Sequence, residues 1–357
     1  MRFTDPRGYL KREVMKEYPI REMNTHDIDR FRELYKAVWG FNRPLGFDKW
    51  RLFDTPHGTC PTAVAMDGDR FAGLYTLWPI SLYLAGTEVL GGQSMDTMTH
   101  PDHQGRGLFT KLALASYEIA ASRGVKALYG FPNPNSYPGF VNKLNWDHTG
   151  DITHYIRLLR ISNHPRVPTV VKPVCDIVAH LIPKGKFGPF RITNKRPPEE
   201  SIIEIIASDT EPNVCSISKS TKWFQWRYTS ESENGYKWIT AYSKNDKACG
   251  FGVWGMREEG WGGSRDMRAH LVELVGASEG AKRAVLAAII KEAFESHAML
   301  LETLCSYPST ERVLRRAGFI RHRRAPLITR KTTTSNLPAN IHNHSTWRII
   351  GGDVDTF

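Results

Sequence analysis

Only five cysteines occur in the 357 residues, Cys60, Cys175, Cys215, Cys249 and Cys305, and none forms a Cys-x-x-Cys pair. That scarcity argues against a disulfide framework and a cysteine zinc site, and for a reducing compartment, read here as the cytoplasm. Long apolar runs are missing as well: no stretch approaches the roughly twenty residues of a membrane span. The N-terminal Met1-Arg-Phe-Thr-Asp-Pro6 has no signal-peptide core. Thirteen histidines are present, but no pair has metal-ligand spacing backed by cysteine or carboxylate, so no metal is expected. Two phosphate-binding signatures are absent, Gly-x-x-x-x-Gly-Lys-Ser/Thr and Gly-x-Gly-x-x-Gly with a later acidic residue, which disfavours a Walker loop and a dinucleotide fold. Acidic charge is in deficit, 37 Asp and Glu against 48 Lys and Arg. A net charge of +11 favours anionic ligands. No recognisable module of base-stacking aromatics accompanies it, so nucleic acid is not the expected partner, and the basic run Arg312 to Lys331 reads as a solvated face.

What is present is concentrated between residues 85 and 150. Glu88 to Thr99 reads as a strand, and Leu112, Leu114, Ala115, Ile119 and Ala120 recur at helical spacing. Between them lies His100-Pro-Asp-His-Gln-Gly-Arg-Gly-Leu-Phe109. A glycine-rich turn from strand to helix aims backbone N–H groups at one spot on the positive end of the helix dipole. That is an anion site, suited to phosphate or pyrophosphate. The helix is followed by a short strand, Val125 to Phe131, then by Pro132-Asn-Pro-Asn-Ser-Tyr-Pro-Gly-Phe140, then by Lys143-Leu-Asn-Trp146.

This segment resembles the GNAT superfamily of acyl-CoA-dependent N-acyltransferases, whose phosphate loop is Gln/Arg-x-x-Gly-x-Gly/Ala. Gln104 and Gly107 match, and Phe109 replaces the last small residue. The resemblance implies an α/β sandwich of the α+β type and acetyl-CoA or another short acyl-CoA as co-substrate. Contacts would come from Met98, Thr99, Gln104, Gly105, Arg106, Gly107, Leu108 and Phe109, and from Asn135 on the pantetheine arm. It places Asp96 where such enzymes often carry an acidic base, with a carboxylate bonded to neighbouring loops as the other reading. The family's tyrosine acid is replaced by Val141, leaving Tyr137 as a substitute or as a packing residue.

Elsewhere, Tyr18 to Met23 reads as a strand. A helix with Ile28, Phe31, Leu34, Tyr35 and Val38 on one stripe follows, then a hairpin turning at Asp67-Gly-Asp69. Residues 1–17 suggest a surface helix. Residues 161–200 carry seven prolines and read as a connector with a helix near Val174 to Ile182. Beyond it the pattern restarts: a hairpin at Trp238 to Met256, a strand at His270 to Val275, a helix at Glu279 to Glu295, a strand at Met299 to Leu304, and a helix ending in Gly318-Phe319. Its strand-to-helix turn, Gly276-Ala-Ser-Glu-Gly280, lacks the phosphate pattern. Two tandem GNAT-like domains are expected, at 1–160 and 201–331, the second without a CoA loop.

Residues 332–345 read as a loose linker. Trp347-Arg-Ile-Ile-Gly-Gly-Asp-Val-Asp-Thr-Phe357 turns apolar and then acidic, as a docking segment would. Asp355, with Asp353 and the terminal carboxylate, is expected to complete the first domain's site, the other reading being a tail that packs on the second domain or a partner subunit for stability. The implied acceptor is a small amine. By resemblance to enzymes of surface-polysaccharide pathways it is a nucleotide-linked amino sugar. Aminoglycoside-like or peptide amines, or a non-catalytic acyl-CoA-binding role, are the alternatives, and the choice between monomer and homodimer stays open.

Overall fold

The computed structural model describes residues 17–160, 170, 188–228, 235–261, 264–332 and 336–355, with the side chains of 259–266 left aside. The expected helices at 1–17 and 174–182 lie outside the described residues, apart from Glu17.

The first half runs β1 (Ile20–Glu22), α1 (Ile28–Trp39), α2 (Leu45–Leu52), β2 (Thr62–Asp67), β3 (Arg70–Leu84), β4 (Thr87–Thr99), α3 (Leu108–Ser122), β5 (Ala127–Gly130), α4 (Tyr137–Leu144) and β6 (Asp147–Leu158). Asn24 starts the α1 region with a capping box, its side chain accepting from His26 N while Asp27 Oδ2 accepts from Asn24 N. Helix α2, with no distinct sequence signal, starts where Pro44 ends the preceding turn. Helix α4 stops at Asn145 in a left-handed conformation (φ 52°), one that asparagine tolerates in place of glycine.

The second half repeats this order: β7 (Arg191–Thr193), α5 (Glu199–Asp209), the extra β8 (Cys215–Ile217), α6 (Thr221–Arg227), β9 (Lys237–Tyr242), β10 (Ala248–Trp261), β11 (Ser264–Gly276), α7 (Glu279–Glu295), β12 (Leu300–Cys305), α8 (Pro308–Arg316) and β13 (Ile320–Lys331). A two-residue β14 (Trp347–Arg348) closes the chain. The aromatic run Trp223 to Tyr228 is thus mostly helical, the counterpart of α2.

The strands join in one sheet, ordered β1-β2-β3-β4-β5-β13-β6-β12-β11-β10-β9-β7. Each half ends on a strand placed beside the other half's interior. β13 pairs with β5, and β6 pairs with β12, while β6 and β13 pair with each other. The two halves therefore exchange their last strands, which a division at residues 160 and 201 does not anticipate. Across the joint, Trp50 and Trp226 stack at 5.0 Å, and each indole N–H donates to the other's backbone carbonyl, at 2.8 and 3.4 Å. Trp78 and Trp223 complete a buried aromatic cluster.

The C-terminal segment is docked. Trp347, Ile349, Ile350 and Val354 are all buried. The described part of the expected loose linker is also held: Ile341 is buried and its carbonyl accepts from Trp347 Nε1 at 2.8 Å.

Candidate active site

Strands β4 and β5 run parallel only from Gly91↔Ala127 to Gln93↔Tyr129. Beyond that point β5 stays paired with β13 on its other side, and the β4 edge from Ser94 to Thr99 borders a cavity of about 760 Å³. Its wall includes Tyr35 and Trp39 of α1, Met95 to Thr99 of β4, Phe131 and Asn135 after β5, Phe109, and Asp355. On its other edge β4 bulges against β3, Met95 pairing Thr76 while Met98 pairs Leu74, so Asp96 and Thr97 fall outside the register. Asp96 holds a positive φ of 40°. Strain of this kind in a non-glycine residue clusters at functional sites.

The phosphate-type loop follows. A 3-10 turn at Pro101–His103 leads through extended Gln104 to Gly105 and Gly107, at φ 75° and 73°. Any L side chain would be strained at Gly107, and a Cβ there would point into open space. As the residue before α3, Gly107 gives the helix no side-chain cap, so its first N–H groups face outward. The corresponding turn of the second half is closed from within. Ser278 caps α7 by accepting from Ala281 N, and buried Lys282 binds Asp209 at 2.6 Å and the hydroxyls of Ser309 and Thr310. The first loop is open to an anion; the second supplies its own cation.

The remaining expected residues fall as follows. Met98 and Thr99 line the cavity, and Met98 Sδ accepts from Trp39 Nε1 at 3.3 Å. Phe109 fills the space beside Gly139 and packs on Tyr75 and Phe140. Leu108, the first residue of α3, is buried, and Arg106 donates to Tyr18 Oη and to the Asp102 carbonyl. Asn135 lies on the rim, its N–H donating to Asn133 Oδ1. Tyr137 is not on the cavity wall; its ring meets His148 edge-on at 5.8 Å.

Charge at the floor is organised by arginines that sequence reading did not single out. Arg51 Nε donates to Asp96 Oδ2 at 2.9 Å and Arg51 Nη2 to Asp355 Oδ2 at 2.7 Å. Arg43 lies over the Tyr35 ring at 4.3 Å and pairs with both Asp96 and Asp48. Gln93, fully buried, donates to Asp355 Oδ1 at 2.9 Å and accepts from Tyr129 Oη at 3.2 Å. The two carboxylates respond in opposite directions. Burial works to raise Asp96, but Arg51 and Arg43 together outweigh it and hold it at about 2. Burial raises Asp355, and its neighbour Asp96 adds to the rise, with Arg51 only partly opposing. The pair thus divides into a fixed anion and a carboxylate of greater basicity.

Among known proteins, the acetyltransferase (GNAT) domain family matches residues 19–149. No curated protein matches the chain significantly in sequence. Similar solved structures include a probable N-acyltransferase from Enterococcus faecalis, with a TM-score of 0.63 and 13% identity over 89% of this chain and 73% of that one. A tandem GNAT protein from the clavulanic acid biosynthesis pathway gives 0.55 and 15%, over 90% and 100%. N-myristoyltransferase from Saccharomyces cerevisiae, solved with myristoyl-CoA, gives 0.63 and 10%, over 93% and 83%. At these identities the likeness is one of fold. Residues 19–149 match the acetyltransferase (GNAT) domain, the whole chain has a two-domain GNAT-like fold, and an acyltransferase is the activity this match supports.

Proposed function

We propose that the protein transfers a short acyl group from acyl-CoA to the amine of a small acceptor, with Asp355 as the proton acceptor. The observation that carries this reading is that the side-chain carboxylate of Asp355, with raised basicity, lines the cavity opened by β4 and β5. The uncapped α3 N-terminus and the loop Gln104 to Phe109 suit the pyrophosphate of CoA. The open edge of β4, with Met98 and Thr99, suits the pantetheine arm, and Asn135 stands on the same rim. Backbone N–H groups at the Asp96–Thr97 bulge are suited to the developing oxyanion. The amine attacks the thioester carbonyl, its proton passes to Asp355 directly or through water, and the thiolate of CoA leaves. A thiolate is a tolerable leaving group, so no strong acid is required, and Tyr137 is not given that role. Asp96 stays ionised and orients Arg51.

For the acceptor we keep the nucleotide-linked amino sugar as the finer reading. It is supported by the net positive charge of the chain, which suits a diphosphate, and by Tyr35, Trp39 and Phe131 at the cavity, which suit a ring. The four described cysteines are free thiols, in keeping with work in the cytoplasm. Thiol release from acetyl-CoA with a panel of amines tests the function. Asp355→Asn should keep acyl-CoA affinity, lower kcat by about 10²–10⁴, and abolish the acidic limb of the pH profile. In the parent enzyme that limb should fall as pH drops through the raised pKa of Asp355. A variant as active as the parent, with the limb intact, rules Asp355 out.

A further inference from the structure

The second half has its own diverging strand pair. β11 and β12 run parallel only from Arg268↔Leu300 to His270↔Glu302. The space past that point is taken by the C-terminal segment. Ile350 bridges Cys305, Ser306 N donates to the Ile349 carbonyl, and Ile349 N donates back to Ser306 Oγ, both at 2.9 Å. Gly352 passes so close to β11 that a Cβ would lie 2.8 Å from the Val272 carbonyl oxygen. Arg227, in α6, donates to the carbonyls of Gly352 and Val354 at 3.2 Å, and Tyr129 Oη, shared between Gln93 Oε1 and this segment, lies 3.2 Å from the Asp353 carbonyl.

Three charges sit at the bottom of this cleft. Lys219 Nζ lies 2.7 Å from Glu273 Oε2 and 3.0 Å from Asp353 Oδ1, and every one of the three side chains is at least nine-tenths buried. Tyr228 donates to Glu273 Oε1 at 2.6 Å, and Asp353 Oδ2 accepts from Ile350 N at 2.9 Å. Counting back from the last strand pairs, Gly73↔Thr99 and Gly250↔Gly276, makes Glu273 the counterpart of Asp96. Two carboxylates around one buried cation are a poor route to stability, since desolvation offsets most of the attraction. Such clusters are better suited to setting register.

We propose that Lys219, with Glu273 and Asp353, is a positioning element for Asp355: the second half's cleft serves as the socket that aims the C-terminal carboxylate into the first half's cavity. Asp353 lies two residues before Asp355, a span of about 7 Å in extended chain, so fixing one confines the other. This rests on the assignment of Asp355 above, and the test separates the two.

The variants are Lys219→Met, Lys219→Arg and Asp353→Asn in the full-length chain, compared with Asp355→Asn. For Lys219→Met and Asp353→Asn the expected result is an acyl-CoA Kd within twofold of the parent. With it should come a kcat at least tenfold lower, a displaced acidic limb, and at least tenfold faster amide exchange at residues 349–354. Lys219→Arg, which keeps the cation, should recover most of the kcat. Unchanged kcat, pH profile and exchange in Lys219→Met would overturn the socket, as would loss of the fold in both Lys219→Met and Asp353→Asn. A fully active Asp355→Asn would remove only the base assignment. The socket would then stand on faster exchange at 349–354 in Lys219→Met and fall on unchanged exchange.

Discussion

Arg51 touches Asp96 and Asp355 within 3 Å, and Asp96 is also paired with Arg43. With its pKa held at about 2 against an unfolded value near 3.8, Asp96 contributes about 2 kcal/mol of stability at neutral pH. The sign follows from the lowered pKa: the contribution is complete above about pH 4 and is lost as pH falls toward 2. Asp96→Asn should therefore flatten the stability profile in that window. At neutral pH it should cost on the order of 2 kcal/mol or more, because Arg43 and Arg51 lose a partner. Urea titrations between pH 2 and 7 measure both effects; a parallel shift at every pH would show that the carboxylate charge is not what Asp96 contributes.

At the scale of elements, α3 and α7 are equivalent helices whose N-termini are built differently. α3 opens at Gly107 with no side-chain cap, while α7 is capped by Ser278 and bears Glu279 in its first turn. Gly107→Val should abolish acyl-CoA binding, by straining a residue at φ 73° and by filling the open space beside the loop. Gly280→Val, where the atoms nearest a Cβ are those of the Phe190 ring and Ser278 Oγ at 3.5 Å or more, should leave that affinity unchanged. Calorimetry on both variants, with circular dichroism to verify folding, decides the point. Equal affinities would mean that the first loop is not where the pyrophosphate binds.

Across the whole molecule, the exchange of β6 and β13 makes each half complete its sheet with the other's strand. Cooperative unfolding in one transition is the expected consequence. The stacked pair Trp50 and Trp226 lies on this joint, so Trp226→Ala should destabilise both halves together, by about 3–5 kcal/mol. Chemical denaturation followed by fluorescence and by circular dichroism should show a single shifted midpoint, with the two probes coincident. Two separated transitions would instead mark the halves as independent folding units.

Much of this architecture was legible from local pattern. The stripe Ile28, Phe31, Leu34, Tyr35 marked α1, Asp67-Gly-Asp69 marked a hairpin, and Glu279 to Glu295 matched α7 end to end. The turn from Gln104 to Phe109 was legible because a tight strand-to-helix turn with positive φ at Gly105 and Gly107 constrains a short contiguous run of residue types. The apolar spacing of Trp347, Ile349 and Ile350 likewise showed that the tail would dock. What local pattern could not carry was pairing at long separation. Nothing in the composition of β6 or β13 states that each lies against the other half, since an apolar strand suits many neighbours equally. Nor does it identify Arg51, an arginine like many others here until folding brings it between carboxylates 45 and 304 residues away. The form of one loop was determined by the sequence itself. The tertiary structure decided where the tail rests and which carboxylate keeps its basicity, because burial and neighbouring charge act through space.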